Sequence, residues 1–175
     1  QKYVNLTECE WANLGDVSTI LTTTKHYTKI GKKHGKYRFY NSSQKDRLFV
    51  DFAEVTDESI IIGNGGELCV HYNNNGFTAS KHVSVIQMSN SCITKFVYYY
   101  LLKNISLLKK QSTGAGIQWL NKTKMKNIKI PLPSIEKQTE IVQYLDKLEI
   151  EKNNIDIKIN DINELSANIL EQSYM

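Results

Sequence analysis

The sequence predicts an α+β fold: a small head with a mixed or antiparallel sheet, followed by one long C-terminal helix that pairs in a coiled coil. Three observations predict it. Short runs of branched and aromatic residues, broken by Gly and Asn turn signals, crowd residues 48–87 and read as strands. Residues 93–110 carry apolar side chains at spacings of one, three and four, the spacing of one helix face. Beyond Ser134, the 41 residues 135–175 contain neither proline nor glycine, so nothing in them interrupts a helix. The head is assigned to residues 1–130 and the tail to residues 131–175.

Residues 11–21 read as an extended entry at Trp11 and then a short helix, with Asn13 or Asp16 as its cap. Residues 22–47 hold eight Lys or Arg and one acid, Asp46. Interleaved with them are Tyr27, Tyr37 and Tyr40 and the small donors Thr22, Thr23, Thr24, Ser42, Ser43 and Gln44. Donors with rings between them suit a surface that touches both phosphates and base edges. The plainer alternative is a solvated basic loop.

Four strands follow, at residues 48–52, 59–62, 68–72 and 82–87. Gly63-Asn64-Gly65-Gly66 lacks the lysine and Ser/Thr that a phosphate-binding loop needs, so it reads as a hairpin turn. Asn73-Asn74-Asn75-Gly76 makes a second turn. The helix at 93–110 is carried by Phe96, Val97, Tyr100, Leu101, Ile105 and Leu108, and its tyrosines read as core or rim residues. Residues 109–116 are basic, flexible and polar, and Trp119 supplies an anchor. Seven lysines and no acid fall within residues 103–129, which marks a second nucleic-acid contact. Residues 127–130 form a last strand running into Pro131.

Pro131 and Pro133 fix an extended entry to the tail, Ser134 is its N-cap and Glu136 sets a carboxylate in the positive first turn. Positions 141, 145, 148, 152, 155, 159, 162, 166 and 169 step by fours and threes and read Ile, Leu, Leu, Lys, Ile, Ile, Ile, Ser, Ile. This is a heptad seam with two polar interruptions, Lys152 and Ser166. An unbroken helix of that length reaches roughly 60 Å at about 1.5 Å per residue. Such a stripe needs a second helix, most simply from another copy; the plainer reading folds it back on its own head. Asn153-Asn154 is the weak point where a kink or break is expected.

The formal net charge of +4 conceals an asymmetry, with +9 over residues 1–130 and −5 over residues 131–175. A basic head on an acidic helix suits a polyanion binder carried on a protein-binding stalk. No apolar run approaches the roughly 18 residues that a membrane span needs, and residues 1–15 show no secretion-signal core. Cys9, Cys69 and Cys92 are widely spaced, which predicts buried thiols in a reducing, cytoplasmic compartment.

No catalytic or metal site is predicted. His26, His34, His71 and His82 do not combine with the cysteines in a zinc spacing, and the acids Asp51, Glu54, Asp57, Glu58 and Glu67 show no nuclease pattern with a lysine.

The order of signals is familiar. Trp11 with Leu14-Gly15-Asp16-Val17 comes first, then Ser59-Ile60-Ile61-Ile62-Gly63 with Gly65-Gly66. Thr113-Gly114 precedes Ile128-Lys129-Ile130-Pro131-Leu132-Pro133, and the helix opens at Ile135. This order resembles the DNA-specificity (S) subunit of Type I restriction-modification systems, as one target recognition domain followed by one helical conserved region. Ser134 stands where family members commonly carry a second proline, and Lys137 precedes Gln138 where they carry Glu; both departures touch helix capping.

The resemblance implies a non-catalytic subunit that reads half of a bipartite site in double-stranded DNA, its heads held apart by paired antiparallel helices. It implies docking of methyltransferase (M) subunits, which bind S-adenosylmethionine, and of restriction (R) subunits, while this chain itself needs no cofactor. With one recognition domain, the chain looks like a half-subunit that forms a homodimer, or like part of a longer S subunit. Chosen by chemistry and loop position, the DNA-contact candidates are Thr23, Lys25, Tyr27, Lys32, Lys36, Arg38, Tyr40, Ser43 and Gln44 in the first region. In the second they are Lys81, Lys109, Lys110, Gln111, Thr113, Gly114 and Gln118. Leu145, Leu148, Ile155, Ile159, Ile162 and Ile169 are assigned to the helix seam. Two rival readings stay open: a nuclease or methylase-fusion fragment with its own Mg²⁺ site, and a coiled-coil scaffold whose basic head meets RNA or acidic proteins.

Overall fold

A central strand of three consecutive isoleucines, Ile60, Ile61 and Ile62, is wholly buried, and the head is built around it. The computed structural model describes residues 9–21, 25–64, 68–113 and 119–173. In chain order the elements are β1 (Glu10–Asn13), a 3-10 turn (Leu14–Asp16), β2 (Ser18–Leu21), a 3-10 turn (Thr28–Ile30), β3 (Tyr37–Tyr40) and β4 (Leu48–Val50). Next come β5 (Ser59–Gly63), β6 (Val70–Asn73), β7 (Phe77–Ala79), β8 (Val83–Met88), α1 (Thr94–Lys103) and α2 (Ile105–Lys109). The chain continues through β9 (Ser112–Thr113), β10 (Trp119–Leu120), α3 (Lys122–Lys126), β11 (Lys129–Leu132) and α4 (Ile135–Ser173).

Four strands in the order β2-β8-β5-β6 make an antiparallel sheet, with Ile61 opposite Val85 and His71. A three-stranded sheet in the order β4-β3-β7 pairs β3 with β7 in parallel, so the fold is mixed α+β. Side chains alternate across a strand. Ile61 therefore points into a cluster with Tyr40, Val55, Phe77, Ala79, Val83 and Val85. Ile60 and Ile62 point to the other face, and α1 packs on β5 and β6. Each buried isoleucine contributes roughly 1.5–3 kcal/mol, which makes β5 the most costly strand to perturb.

Several elements depart from the sequence reading. The helix expected after Trp11 is one 3-10 turn, because residues 18–21 pair with β8 as a strand. Tyr37–Tyr40, read as basic loop, is β3: Phe39 and Tyr40 are buried, Tyr40 in the cluster, and the lysines around the strand obscured it. The single helix at 93–110 is two, broken at Asn104, whose backbone N–H and side-chain amide both donate to Tyr100 O, at 3.0 and 2.9 Å. The last strand runs through Pro131 to Leu132, which a two-stranded edge pair with β1 tolerates. Residues 122–126, given no secondary structure from sequence, are helical under an Asn121 N-cap.

Two compact units are present, the first ending at Thr139 and the second beginning at Glu140. The head thus takes in β11 and the first turn of α4, beyond the 130/131 boundary drawn from sequence. Ser134 caps α4 by accepting the Lys137 N–H at 3.3 Å. The Glu136 carboxyl is held below its ordinary value by the backbone N–H at the helix start and by Ser134. Within the second unit the helix continues through Asn153-Asn154 without the expected break. Leu145 is half-buried, whereas Leu148, Ile155, Ile159, Ile162 and Ile169 are exposed. Exposed Ile150 and Ile157 lie off that seam, on the other side of the helix from Ile155 and Ile159, because two residues turn roughly 200°.

Candidate nucleic-acid interface

The basic loops of the head are gathered at one edge by Asn64, at the end of β5. Its N–H donates to His82 O at 2.8 Å and its carbonyl accepts the Leu120 N–H at 3.1 Å. Its side-chain oxygen accepts the Ser84 hydroxyl at 3.0 Å, and the residue is buried. The Ser42 hydroxyl donates to the same His82 carbonyl. One buried asparagine therefore binds the turn at 80–82 and the β9–β10 hairpin, while Ser42 brings in the loop at 41–47. A Cβ at Gly63 would lie 2.6 Å from Cys69 Sγ and 3.2 Å from Ser42 Cα, so this loop can seat against β5 only over a glycine.

A fourth segment joins at Lys81. Its N–H donates to His26 O at 2.9 Å, and its ammonium lies 3.9 Å from the centroid of the Tyr27 ring. Tyr27 is 54% exposed, so a ring and a cation face solvent together. The His26 ring is held by Glu54 at 2.7 Å and by the edge of Phe52.

Tyr27 and Lys81 are brought into contact, although 54 residues separate them in the chain. Lys25 and Gln44 are exposed, and Lys36 lies over the Tyr37 ring. Ser43 organises its own loop, its hydroxyl accepting the Lys45 and Asp46 N–H groups. Lys32 is exposed but paired with Asp51 at 3.0 Å, and that pairing holds the Asp51 carboxyl below its ordinary value. Lys109, Lys110 and Gln111 lead from α2 into the hairpin, with both lysines exposed. Thr113 lies in β9 opposite Trp119. Thr23, Gly114 and Gln118 fall outside the described residues.

Two candidates prove to be structural. Tyr40 is a core residue at 8% exposure, packed edge-on against Phe77 with its hydroxyl accepting from Asn73, so its ring is not available to a base. Arg38 turns its guanidinium to the carbonyls of Asp46 and Leu48 and over the rings of Tyr40 and Phe49. Burial lowers its pKa, yet arginine remains charged; it holds the 41–47 loop from within. Both were chosen for residue type in a basic stretch, whose lysines hid the strand that carries Tyr40 inward.

Asn64 and Ser84 were not singled out from sequence as site residues, and Ser42 was named only as a small donor of the basic stretch. Only the Gly-Asn-Gly-Gly run marked the position, and it read as a turn alone. Cys69 and Cys92 are buried and Cys9 is part-exposed. Among the described residues, no group of three or more His, Cys, Asp or Glu is placed to hold a metal ion, and no helix is long and apolar enough to cross a membrane.

Comparison with known proteins agrees with this architecture. The family model described as "Type I restriction modification DNA specificity domain" matches residues 8–166. The chain is similar to the Type I restriction enzyme MjaVIII specificity subunit of Methanocaldococcus jannaschii, 24% identical over 94% of this chain and 41% of that protein. It is similar to the putative type I restriction enzyme specificity subunit S.HindORF215P of Haemophilus influenzae, 26% identical over 85% of this chain and 39% of that one. The crystal structure of the Type-I restriction-modification system S subunit from M. genitalium shares its fold, with a TM-score of 0.74 at 18% identity over 87% of this chain and 42% of that one. The chain thus spans about two fifths of the length of these relatives. With the mixed-sheet head, the proline-led helix and a family match over residues 8–166, the chain belongs to the Type I restriction modification DNA specificity domain family.

Proposed function

We propose that this chain reads one half of a bipartite site in double-stranded DNA and carries docking surface for the methyltransferase subunits of a Type I system. Specificity subunits of such systems are non-catalytic recognition subunits. The observation that carries the reading is the Asn64-centred network, which gathers cationic and donor-bearing loops from four parts of the chain at one edge. Lys25, Lys36, Lys81, Lys109 and Lys110 neutralise phosphates, and Gln44, Gln111 and Tyr27 meet bases.

The tail supports two further parts of this reading. Its exposed seam from Leu148 to Ile169 suits a second helix, from another copy or from the rest of a longer subunit. Ile150 and Ile157, on the other side, suit a different helix, which fits methyltransferase docking; restriction subunits join that assembly. S-adenosylmethionine belongs to the methyltransferase partner.

Fluorescence anisotropy of the purified chain with labelled duplexes tests the reading. Binding that weakens steeply with salt and prefers some duplex sequences over others is expected. Equal affinity for all duplexes, with tighter RNA or acidic-protein binding, favours the scaffold. Plasmid cleavage by the chain with Mg²⁺ alone favours the nuclease.

A further inference from the structure

We propose that α3 and the start of β11 form a second, sequence-neutral contact with the phosphate backbone of the duplex, made by Lys122, Lys124, Lys126 and Lys129. This rests on the duplex-DNA reading above and divides that surface into loops that read and a helix that clamps. All four lie in the lysine-rich stretch 103–129 that the sequence marks as a second nucleic-acid contact; that contact is assigned here to α3 and β11 and given a sequence-neutral role. All four are exposed, and none is ion-paired with a described residue. No acid occurs anywhere in residues 103–129.

The charge is displayed from a fixed support. Asn121 caps α3 by accepting the Lys124 N–H at 3.0 Å, and Met125 is wholly buried beneath the helix. The following Ile128 carbonyl accepts the Leu14 N–H at 2.8 Å. Gly15 lets the 3-10 turn sit directly on α3, since a Cβ there would lie 2.6 Å from Lys126 Cβ. At roughly 100° per residue, Lys122 and Lys126 share one flank of the helix and Lys124 takes the other, with Met125 facing inward. Lys122 and Lys126 therefore repel each other at i, i+4 in the free protein, and a polyanion would relieve that repulsion.

Placement and chemistry both favour DNA phosphates. The Asn121 N–H donates to Gln111 O at 3.2 Å, so α3 begins where the hairpin carrying Gln111 and Thr113 ends. A duplex held by the hairpin has α3 as its next neighbour. Lysine offers donors and no acceptor, as a point charge without the planar fork that discriminates bases. Contacts of that kind set register on the duplex and carry no sequence information.

The experiment uses the full chain with Lys122, Lys124, Lys126 and Lys129 all changed to Gln, beside a second variant with all four changed to Arg. Affinity is measured across a salt series for a preferred and a random duplex. The Gln variant is expected to lose at least tenfold in affinity for both duplexes equally. Its log K against log salt slope should become shallower by about 3–4, since each phosphate contact contributes roughly 0.9. The Arg variant keeps the wild-type slope, and a wild-type thermal midpoint of the Gln variant excludes misfolding as the cause. An unchanged slope in the Gln variant overturns the proposal, as does selective loss of the preferred duplex, or intact DNA binding with loss of an acidic protein partner. If the wild-type chain binds no duplex at all, the duplex-DNA reading itself fails, a result distinct from an unaltered slope.

Discussion

The Gln138 side-chain oxygen accepts the Ile93 backbone N–H at 2.8 Å, joining the first turn of α4 to the residue that opens α1. The amide nitrogen of Gln138 donates to Pro133 O at 2.9 Å, and the residue is 1% exposed. Both ends of one buried amide are therefore in use. Gln138→Ala strands a helix-end N–H and a carbonyl, each costing about 1–3 kcal/mol when buried without a partner. The urea midpoint of the head is expected to fall accordingly, and a wild-type midpoint would show that water replaces the amide at no cost.

Gly15 and Lys126 make a second close approach. Gly15→Ala places a methyl 2.6 Å from Lys126 Cβ and 3.2 Å from its Cα, and these atoms, unlike the end of the side chain, cannot swing aside. A loss of about 1–3 kcal/mol is expected from the forced shift. Thermal denaturation checks it, and Lys126→Ala should not rescue the loss, because the blocking Cβ and Cα remain.

Much of the head was legible because burial on a strand leaves a mark in the residues themselves. Ser59–Gly63 and Val83–Met88 stand out as branched runs between turn signals, and the proline-led start of α4 stands out as a break followed by an uninterrupted stretch. Charge hid β3, since lysines flank a strand whose inward residues are only Phe39 and its neighbours. Isolated propensity also misled at Asn153-Asn154, where the cost of two poor helix formers is small beside 37 other helical residues. The interface was legible as composition only: basic loops with rings between them. Which loops meet is decided by Asn64, Ser42 and Ser84, and hydrogen bonds spanning 20 to 40 residues leave no local pattern to read.

Asn64→Ala removes the acceptor for the Ser84 hydroxyl without removing a charge. The backbone bonds of residue 64 to His82 and Leu120 remain, while the buried Ser84 hydroxyl loses its acceptor and the strand end that carries the loops is loosened. Discrimination between preferred and random duplex is expected to fall by up to about tenfold, of the order of one good base contact. The salt slope should hold, because no phosphate contact is lost. Asn64→Asp, which keeps the acceptor, should restore part of the discrimination. Unchanged discrimination in the alanine variant would remove Asn64 from the organising role.

His71 makes the head acid-sensitive. Burial, and then the charge of Arg38, lower its pKa from the ordinary 6.5. The unfolded chain therefore binds its proton more readily than the folded one. Stability from this residue is complete above about pH 6.5 and is lost as pH falls below it. Denaturation at a series of pH values from 7 downward is expected to show that decline, and His71→Phe should flatten it. A decline of equal slope in the variant would assign it to other groups.

On the proposed reading, a loop-bearing head reads duplex DNA while the exposed helical seam pairs it with a second head from another copy. Selection of bound duplexes from a random pool by the purified chain, followed by sequencing, tests both halves at once. The account predicts enrichment of two inverted copies of one short half-site at a fixed separation, with Ile155→Asp and Ile162→Asp together reducing this to single half-sites. A pool that shows no enriched sequence, or wild-type enrichment of single half-sites alone, would contradict it.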